Sequence, residues 1–538
     1  MIKHTRVFAF LLLIVSLGVS GLHPKTAAST EPVLGDYTDY PIFLVNSVKP
    51  NILIILDNSG SMNFQAYRGA YDHNTRYYGY FEPDYWYKYD DLQGWFYPTA
   101  AKSDRDKASD EWDGNFLNWL LMRRVDIIRK VLTGGKYSQS GSNYILETEI
   151  ADCDARGRYK KIDNAQFYTP FSGTKSFTVH TYGGWCDGSG SGYSTFTVSG
   201  HTYIGRVNIG SSPPTGIIQK LGDKVRWGLA YYHENAYTPQ GGYISQHIPS
   251  SLNTLINDIN SKRPDSNTPL AETLWTVVGY YAQQSSMEGG PGPRYNSGDY
   301  QINTGVDPYN LGTASEPLMA WCAKSFVILI TDGEPCQDGY LPSSVANYAN
   351  GRSEFNCNSR SNDPNNPCYI PSCSGGYVPG IEDVALYAHL NDLRSDLDHD
   401  QTLTVYTVFA FGAGSKLLQY AAINGGFKDL DGDGKPFPDS SNTCGTANPD
   451  PYCKEWDEDG DGVPDNYFAA YSGYELEESL TKAITDILKR TSSGTAVSVL
   501  SEEAEHGASL LQAVFSPEET VEEGGNVYTL NWIGHLYN

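Results

Sequence analysis

After its first thirty residues this chain has no apolar run long enough to span a bilayer, so nothing downstream reads as a membrane anchor. Positive charge is scarce. Lys+Arg number 38 against 63 Asp+Glu, and a formal charge of −25 repels phosphates, arguing against nucleic acid as a partner while suiting divalent cations. There is no G-x-S-x-G elbow, no H-E-x-x-H helix and no phosphate-binding glycine loop, and His73, His180 and His389 have no catalytic spacing. The reading is therefore non-enzymatic. None of the cysteines forms a tight C-x-x-C pair, which weakens a zinc site. What is present is a folded composition, 40% hydrophobic and 19% charged, with 40 tyrosines and 54 glycines. That balance suits a loop-rich surface with rigid amphipathic contact groups.

The first residues indicate the compartment. Lys3, His4 and Arg6 precede the apolar "VFAFLLLIVSLGV" and the small residues of "KTAAS", which reads as a secretory signal over 1–28, cleaved after Ala28. An uncleaved anchor is the alternative. A linker would follow over 29–49. In an exported chain the nine cysteines should mostly pair, with at least one left free or bonded to another chain. Cys153 with Cys186 and Cys444 with Cys453 are candidate local staples.

Near-continuous apolar runs mark strands covered on both faces: "NILIIL" at 51–56, "SFVILI" at 325–330, "LTVYTVFAF" at 403–411, and "KVRWGLAYYH" at 224–233. Helical patterns alternate with them. "GNFLNWLLMRRVDIIRKVLTGG" places Phe116, Leu117, Leu120, Leu121, Val125, Ile128 and Leu132 on one face and ends on Gly-Gly. "SLNTLINDINS", "PLAETLWTVVGYYAQ", "EDVALYAHLNDLRSD" and "ELEESLTKAITDILKR" follow. The expectation is an α/β, doubly wound, mainly parallel domain over 50–491. It would carry a Tyr/Trp-rich insertion at 63–112, a Gly/Ser/Thr-rich one at 135–215 and a cysteine-bearing loop at 334–378. A β segment at 492–538 would begin a further module.

At the carboxyl end of the first run, "LDNSGS" supplies Asp57, Ser59 and Ser61 at alternate positions. "SNTPLAETLW" adds Thr268 before a helix opened by Pro269, and "SFVILITDGEP" adds Asp332 after another buried strand. Hard oxygen donors at strand ends suit Mg²⁺, and neutral hydroxyls leave the cation partly uncompensated, open to an acidic group from a partner. The bland alternative is a helix cap at Asp57 and Ser59 with a turn at Asp332-Gly333. The three-part arrangement resembles the metal-ion-dependent adhesion site of von Willebrand factor A domains. That resemblance implies that Ser59, Ser61 and Thr268 contact the ion directly or nearly so, with Asp57 and Asp332 acting largely through waters.

"DLDGDGKPFPD" and "DEDGDGVPD", within 429–465, repeat D-x-D-x-D-G, a spacing that wraps one Ca²⁺. Candidate ligands are Asp429, Asp431, Asp433 and Asp439, then Asp457, Asp459, Asp461 and Asp465. Ser440 and Phe468 stand where an EF-hand has its bidentate Glu, so these are EF-like loops. A solvated acidic turn is the alternative for each. A dockerin-like calcium-dependent interaction protein would also duplicate such loops, but only the second is followed by a good helical pattern.

Together "GNFLNWLLMRRVDIIRKVLTGG", "TPLAETLW", "DEDGDGVPDNYFAAYSGYELEESLTKAITDILKRTSSGTAVSV" and "LNWIGHLYN" resemble the amino-terminal half of PilY proteins, type IV pilus biogenesis factors and tip-associated adhesins. The resemblance implies an exported protein of the periplasm, outer-membrane surface or pilus tip. Minor pilins or the pilus tip would be partners, and a host or abiotic surface ligand would present a carboxylate. Pilus assembly, attachment and twitching motility are the implied roles. The family's C-terminal β-propeller would begin where this chain stops, so a separate propeller polypeptide is a possible partner. A structural scaffold with a vestigial metal site is the alternative.

Overall fold

The computed structural model describes residues 48–492 and the hairpin strands 512–523 and 526–537; left out are 151–158, 182–192, 234–240, 285–298, 339–340, most of 358–379, 413, 431 and 437–452. The signal and most of the linker read from the sequence lie outside the described residues, as do Cys153, Cys186, Cys444, Asp431 and Asp439. Two units divide the chain, one over Ser47–Gly494 and one including Thr495–Asn538. In the second, Gln512–Glu523 and Asn526–Tyr537 pair antiparallel.

The larger unit is built on a six-stranded sheet in the order Gly242–Gln246, Arg226–Tyr232, Asn51–Leu56, Ser325–Thr331, Leu403–Ala410, Tyr467–Ala470. Five strands are parallel and the Gly242–Gln246 edge is antiparallel to its neighbour. Numbered along the chain, this is the 3-2-1-4-5-6 order of a doubly wound sheet. The four apolar runs all form strands here. Alternate residues face opposite layers. Leu53, Ile55, Val327 and Val405 pack on the helices Leu270–Ala282, Ile381–Leu390 and Lys416–Gly426. The helices Arg124–Thr133, Leu252–Ser261 and Gly473–Ser492 form the other layer. The fold is α/β with A-type strand order.

The elements not anticipated include two strands of this sheet and one of its helices. The edge strands Gly242–Gln246 and Tyr467–Ala470 are short, and short edge segments give a weak periodic signal. The helix Lys416–Gly426 starts at Ser415, whose side chain accepts the Leu418 N–H, and ends on two glycines that disguise it as a loop.

The two aromatic and Gly/Ser/Thr-rich segments meet in one accessory structure. A six-stranded sheet runs Trp112–Asp113, Tyr85–Asp90, Trp95–Ala101, Arg206–Asn208, Asn143–Glu147, Tyr137–Ser140. Its first three strands come from or border 63–112 and its last three from 135–215. A four-stranded sheet, His201–Ile204, Ser194–Val198, Lys175–Thr181, Tyr159–Ile162, completes it. Trp112 stands edge-on to Phe196 and Tyr203 at ring distances of 5.5 and 5.0 Å. Seven of the fifteen aromatics of the first segment are therefore core: Tyr77, Tyr78, Tyr80, Phe81, Tyr87, Phe96 and Trp112 are all buried.

The long helical pattern at 114–135 is broken into two helices, Gly114–Leu121 and Arg124–Thr133. The cause is a backbone crossing. Gln65 forms a β-bridge with Arg123, and Phe64 O and Ala66 N bond the Arg124 N–H and Met122 carbonyl. The second helix ends at Gly134 with φ 84°, a conformation that suits glycine.

Candidate metal centre

Register brings the candidate loops together. The strands at 51–56 and 325–331 run parallel with Leu56 opposite Ile330, so Asp57 and Thr331–Asp332 leave the sheet side by side. The Asp57 N–H donates to the Ile330 carbonyl at 3.0 Å. The third loop joins through the backbone. Ser59 bridges Ser266, and Thr268 bridges Cys336, four residues after Asp332. Asn58 fastens the neighbouring strand: its amide donates to the Tyr232 carbonyl and its side-chain oxygen accepts the Tyr232 N–H. Asp57, Ser59, Thr268 and Asp332 are buried, and Ser61 is partly exposed.

The side chains form one chain of hydrogen bonds. Asp57 Oδ1 accepts the Ser59 N–H at 2.6 Å, and Thr331 Oγ1 donates to Asp57 Oδ2 at 2.6 Å. Ser59 and Ser61 hydroxyls lie 2.9 Å apart, and Ser61 Oγ donates to Asp332 Oδ1 at 2.6 Å. Ser59 does stand at the start of a short 3₁₀ turn, Gly60–Asn63, but its side chain makes no cap hydrogen bond. Its hydroxyl faces Ser61 instead. Burial, with the Asp332 charge adding to it, pushes the Asp57 carboxyl up to about 7 against the lowering effect of its hydrogen bonds. Two buried carboxylates and three hydroxyls on converging loops are a hard-oxygen set whose like charges a divalent cation would relieve, so the donors fit Mg²⁺.

Two residues that hold this arrangement were not legible in the sequence. Asp338 accepts the N–H groups of Ala271 and Glu272 at 2.9 and 3.0 Å, capping the helix that follows Thr268. It thereby ties the loop after Asp332 to the loop carrying Thr268. Burial, then the neighbouring Glu272, raises its carboxyl well above the usual range. Arg124 pairs with Asp332 Oδ2 at 2.8 Å. It opens the helix Arg124–Thr133, whose start is tied to the crossing at 64–66. Glu334 turns away to Ser415, whose hydroxyl donates to it at 2.9 Å.

In the second acidic loop, carboxylate oxygens of Asp457, Asp459 and Asp465 all lie within 4.8 Å of one another. Asp457 accepts the N–H groups of Gly460, Asp461 and Gly462. Asp461 is outside that group and accepts the Val463 N–H at 2.7 Å. Burial, with Asp459 and Glu458 beside it, lifts Asp465 to about 6. The first loop wraps alike, Asp429 accepting the Gly432 and Gly434 N–H groups and Asp433 that of Lys435. Loop two leads into the strand Tyr467–Ala470 before any helix, unlike a dockerin repeat. Cys357 and Cys368 are bonded in the 334–378 loop, Cys336 is also in a disulfide, and Cys322 is free and exposed. No helix among the described residues is long and apolar enough to cross a membrane.

Comparison with known proteins adds context to this geometry. A family model described as PilY1 homolog, small alpha/beta domain, matches residues 68–199, a span that includes the helices Gly114–Leu121 and Arg124–Thr133 and most strands of the two accessory sheets. The type IV pilus biogenesis factor PilY1 homolog of Xylella fastidiosa is 23% identical over 284 residues, 43% of this chain and 23% of that protein. The chain thus aligns with about a quarter of its relative's length. Among solved structures, the vWF domain of the type V pili tip protein Mfa5 from Porphyromonas gingivalis is 11% identical, covering 51% of this chain and 82% of that one with a TM-score of 0.24. The pilus adhesin SpaC from Lactobacillus rhamnosus GG in its open conformation is 14% identical, covering 59% and 33%, with a TM-score of 0.26. Those scores are low, and the fold stands on strand order and register. The chain thus combines a main sheet of von Willebrand factor A-like strand order with an accessory structure similar to the small alpha/beta domain of PilY1 homologs.

Proposed function

We propose that this chain is an exported, non-enzymatic factor of type IV pili that supports pilus biogenesis, attachment and twitching motility through a metal-dependent A-type site. Asp57, Ser59, Ser61, Thr268 and Asp332 would hold one Mg²⁺, which supplies an open coordination place for a partner's carboxylate. Ca²⁺ in the acidic loops would be structural. Minor pilins or the pilus tip are the proposed assembly partners, and a host or abiotic surface the proposed ligand. The observation that supports the reading is the convergence of three loops: Asp57, Ser59 and Ser61 join Asp332 in one hydrogen-bonded chain, and the bridges Ser59–Ser266 and Thr268–Cys336 bring in the loop of Thr268.

One observation favours a second reading, a pilus scaffold with a vestigial metal site. Asp332 already has both oxygens satisfied, one by Ser61 and one by Arg124. The double variant Asp57→Ala with Ser59→Ala separates the two. Loss of surface attachment with pili still displayed supports ligand binding. Unchanged attachment overturns it and leaves the scaffold.

A further inference from the structure

We infer that Arg124 is a specificity-determining residue of the metal site: a built-in cation that weakens binding of the metal itself and leaves the loaded site with a net positive charge that selects an anionic partner. This rests on the metal-site reading above.

The placement of Arg124 is the argument. It occupies the first position of the helix Arg124–Thr133, where the aligned peptide dipoles present their positive end and a cation is locally unfavourable. The surroundings compensate. Its guanidinium lies 5.7 Å from the ring centres of both Phe64 and Phe411, held between aromatic groups from two different loops. Its Nη1 donates to Asp332 Oδ2 at 2.8 Å, with the Asp332 side chain fully buried and that of Arg124 only 15% exposed. Its Nε is buried with no hydrogen-bond partner. A floppy surface arginine would leave such a site for water. This one is fixed by packing, by the Gln65–Arg123 bridge beside it and by the Arg124 N–H bond to Phe64 O at 3.0 Å.

Charge counting gives the consequence. Ser59, Ser61 and Thr268 are neutral donors, so Asp57 and Asp332 are the negative groups among the five proposed ligands. Two carboxylates alone would neutralise a divalent ion, and the loaded site would have little electrostatic demand for an outside anion. Arg124 takes up one of those two charges. The ion is then held less tightly, and the loaded site is left with one uncompensated positive charge, partly screened from solvent by Phe64 and Phe411. A carboxylate arriving from a partner completes both the coordination and the charge. Arg124 thus exchanges metal affinity for partner selectivity.

The test uses the full chain, with Mn²⁺ alone as the first probe. Arg124→Met and Arg124→Gln keep the aliphatic stem between the two rings, the latter also keeping a neutral donor toward Asp332, and Arg124→Lys keeps the charge. Calorimetric titration should find Mn²⁺ bound about tenfold tighter by the Met and Gln variants, the scale on which one nearby charge acts on a dication in partly screened surroundings. The Lys variant should stay near wild type. Acetate at matched ionic strength should raise Mn²⁺ affinity in wild type and raise it less in the Met and Gln variants. Equal Mn²⁺ affinity in all four proteins, abolished by Asp57→Ala in each, overturns the role of Arg124 while leaving the metal site standing. Absence of Mn²⁺ binding at this site in wild type and variants alike overturns both.

Discussion

Asp57→Asn probes the candidate centre most directly, because the burial of this carboxyl beside Asp332 gives the sign of its effect. The carboxyl of Asp57 rises from 3.8 to about 7, chiefly through burial and then through Asp332. Its folded value lies above its unfolded one, so the folded state holds the proton more tightly. The associated stability is fully present below about pH 4 and is lost as pH rises through about 7. At about 1.4 kcal/mol per pH unit the whole effect has a ceiling of about 4 kcal/mol, and relaxation with water entry reduces it to about 2. Asparagine fits the same space. Its oxygen can take the Ser59 N–H, and its amide can donate to Thr331 Oγ1, whose proton then goes wholly to the Gly333 carbonyl it already approaches at 3.1 Å. The Asp332 N–H loses its 3.3 Å acceptor, a cost of about 1 kcal/mol or less. Without divalent ions, the variant should therefore be about 1–2 kcal/mol more stable than wild type near pH 8 and level with it or slightly less stable near pH 4. Excess Mg²⁺ should stabilise wild type alone, since binding to the folded state adds to its stability. Urea denaturation at the two pH values, with chelator and then with Mg²⁺, reads all of this. Identical pH dependence in the two proteins, or equal stabilisation of both by Mg²⁺, would refute the reasoning.

Two further outcomes follow from other parts of the molecule. Trp112→Ala should cost about 3–5 kcal/mol, because its ring is 1% exposed and packs on Phe196 and Tyr203 from the other segment. Limited proteolysis should then cut within 194–204 as well as near 112; protection of 194–204 would mean that the two segments fold independently. Asp457→Ala together with Asp465→Ala should abolish any rise in melting temperature on adding Ca²⁺, whereas the same pair of changes should leave Mg²⁺ stabilisation in place. An undiminished Ca²⁺ response would remove the second acidic loop as its source.

The sequence alone determined the local chemistry. Four buried strands were legible because a strand covered on both faces is apolar without alternation, and strand-end position follows from that. Asp57, Ser59, Ser61, Thr268 and Asp332 stand out as candidates because their motifs lie at the end of a strand or the start of a helix. Elements with weak signals were lost, among them the four-residue strand Tyr467–Ala470 and the helix Lys416–Gly426 with its two terminal glycines. So were long-range pairings. Nothing in "LLMRRVDII" says that its helix breaks, since the break comes from a crossing at residues 64–66, far away in sequence. That crossing carries Arg124 to Asp332, 208 positions on. Likewise 63–112 and 135–215 read as separate insertions because each is separately aromatic or Gly/Ser/Thr-rich, yet backbone pairing joins them into one sheet. Periodicity records which face of an element is buried. Which partner buries it, and which distant charge ends up beside a carboxylate, is decided only when the chain closes its loops in three dimensions.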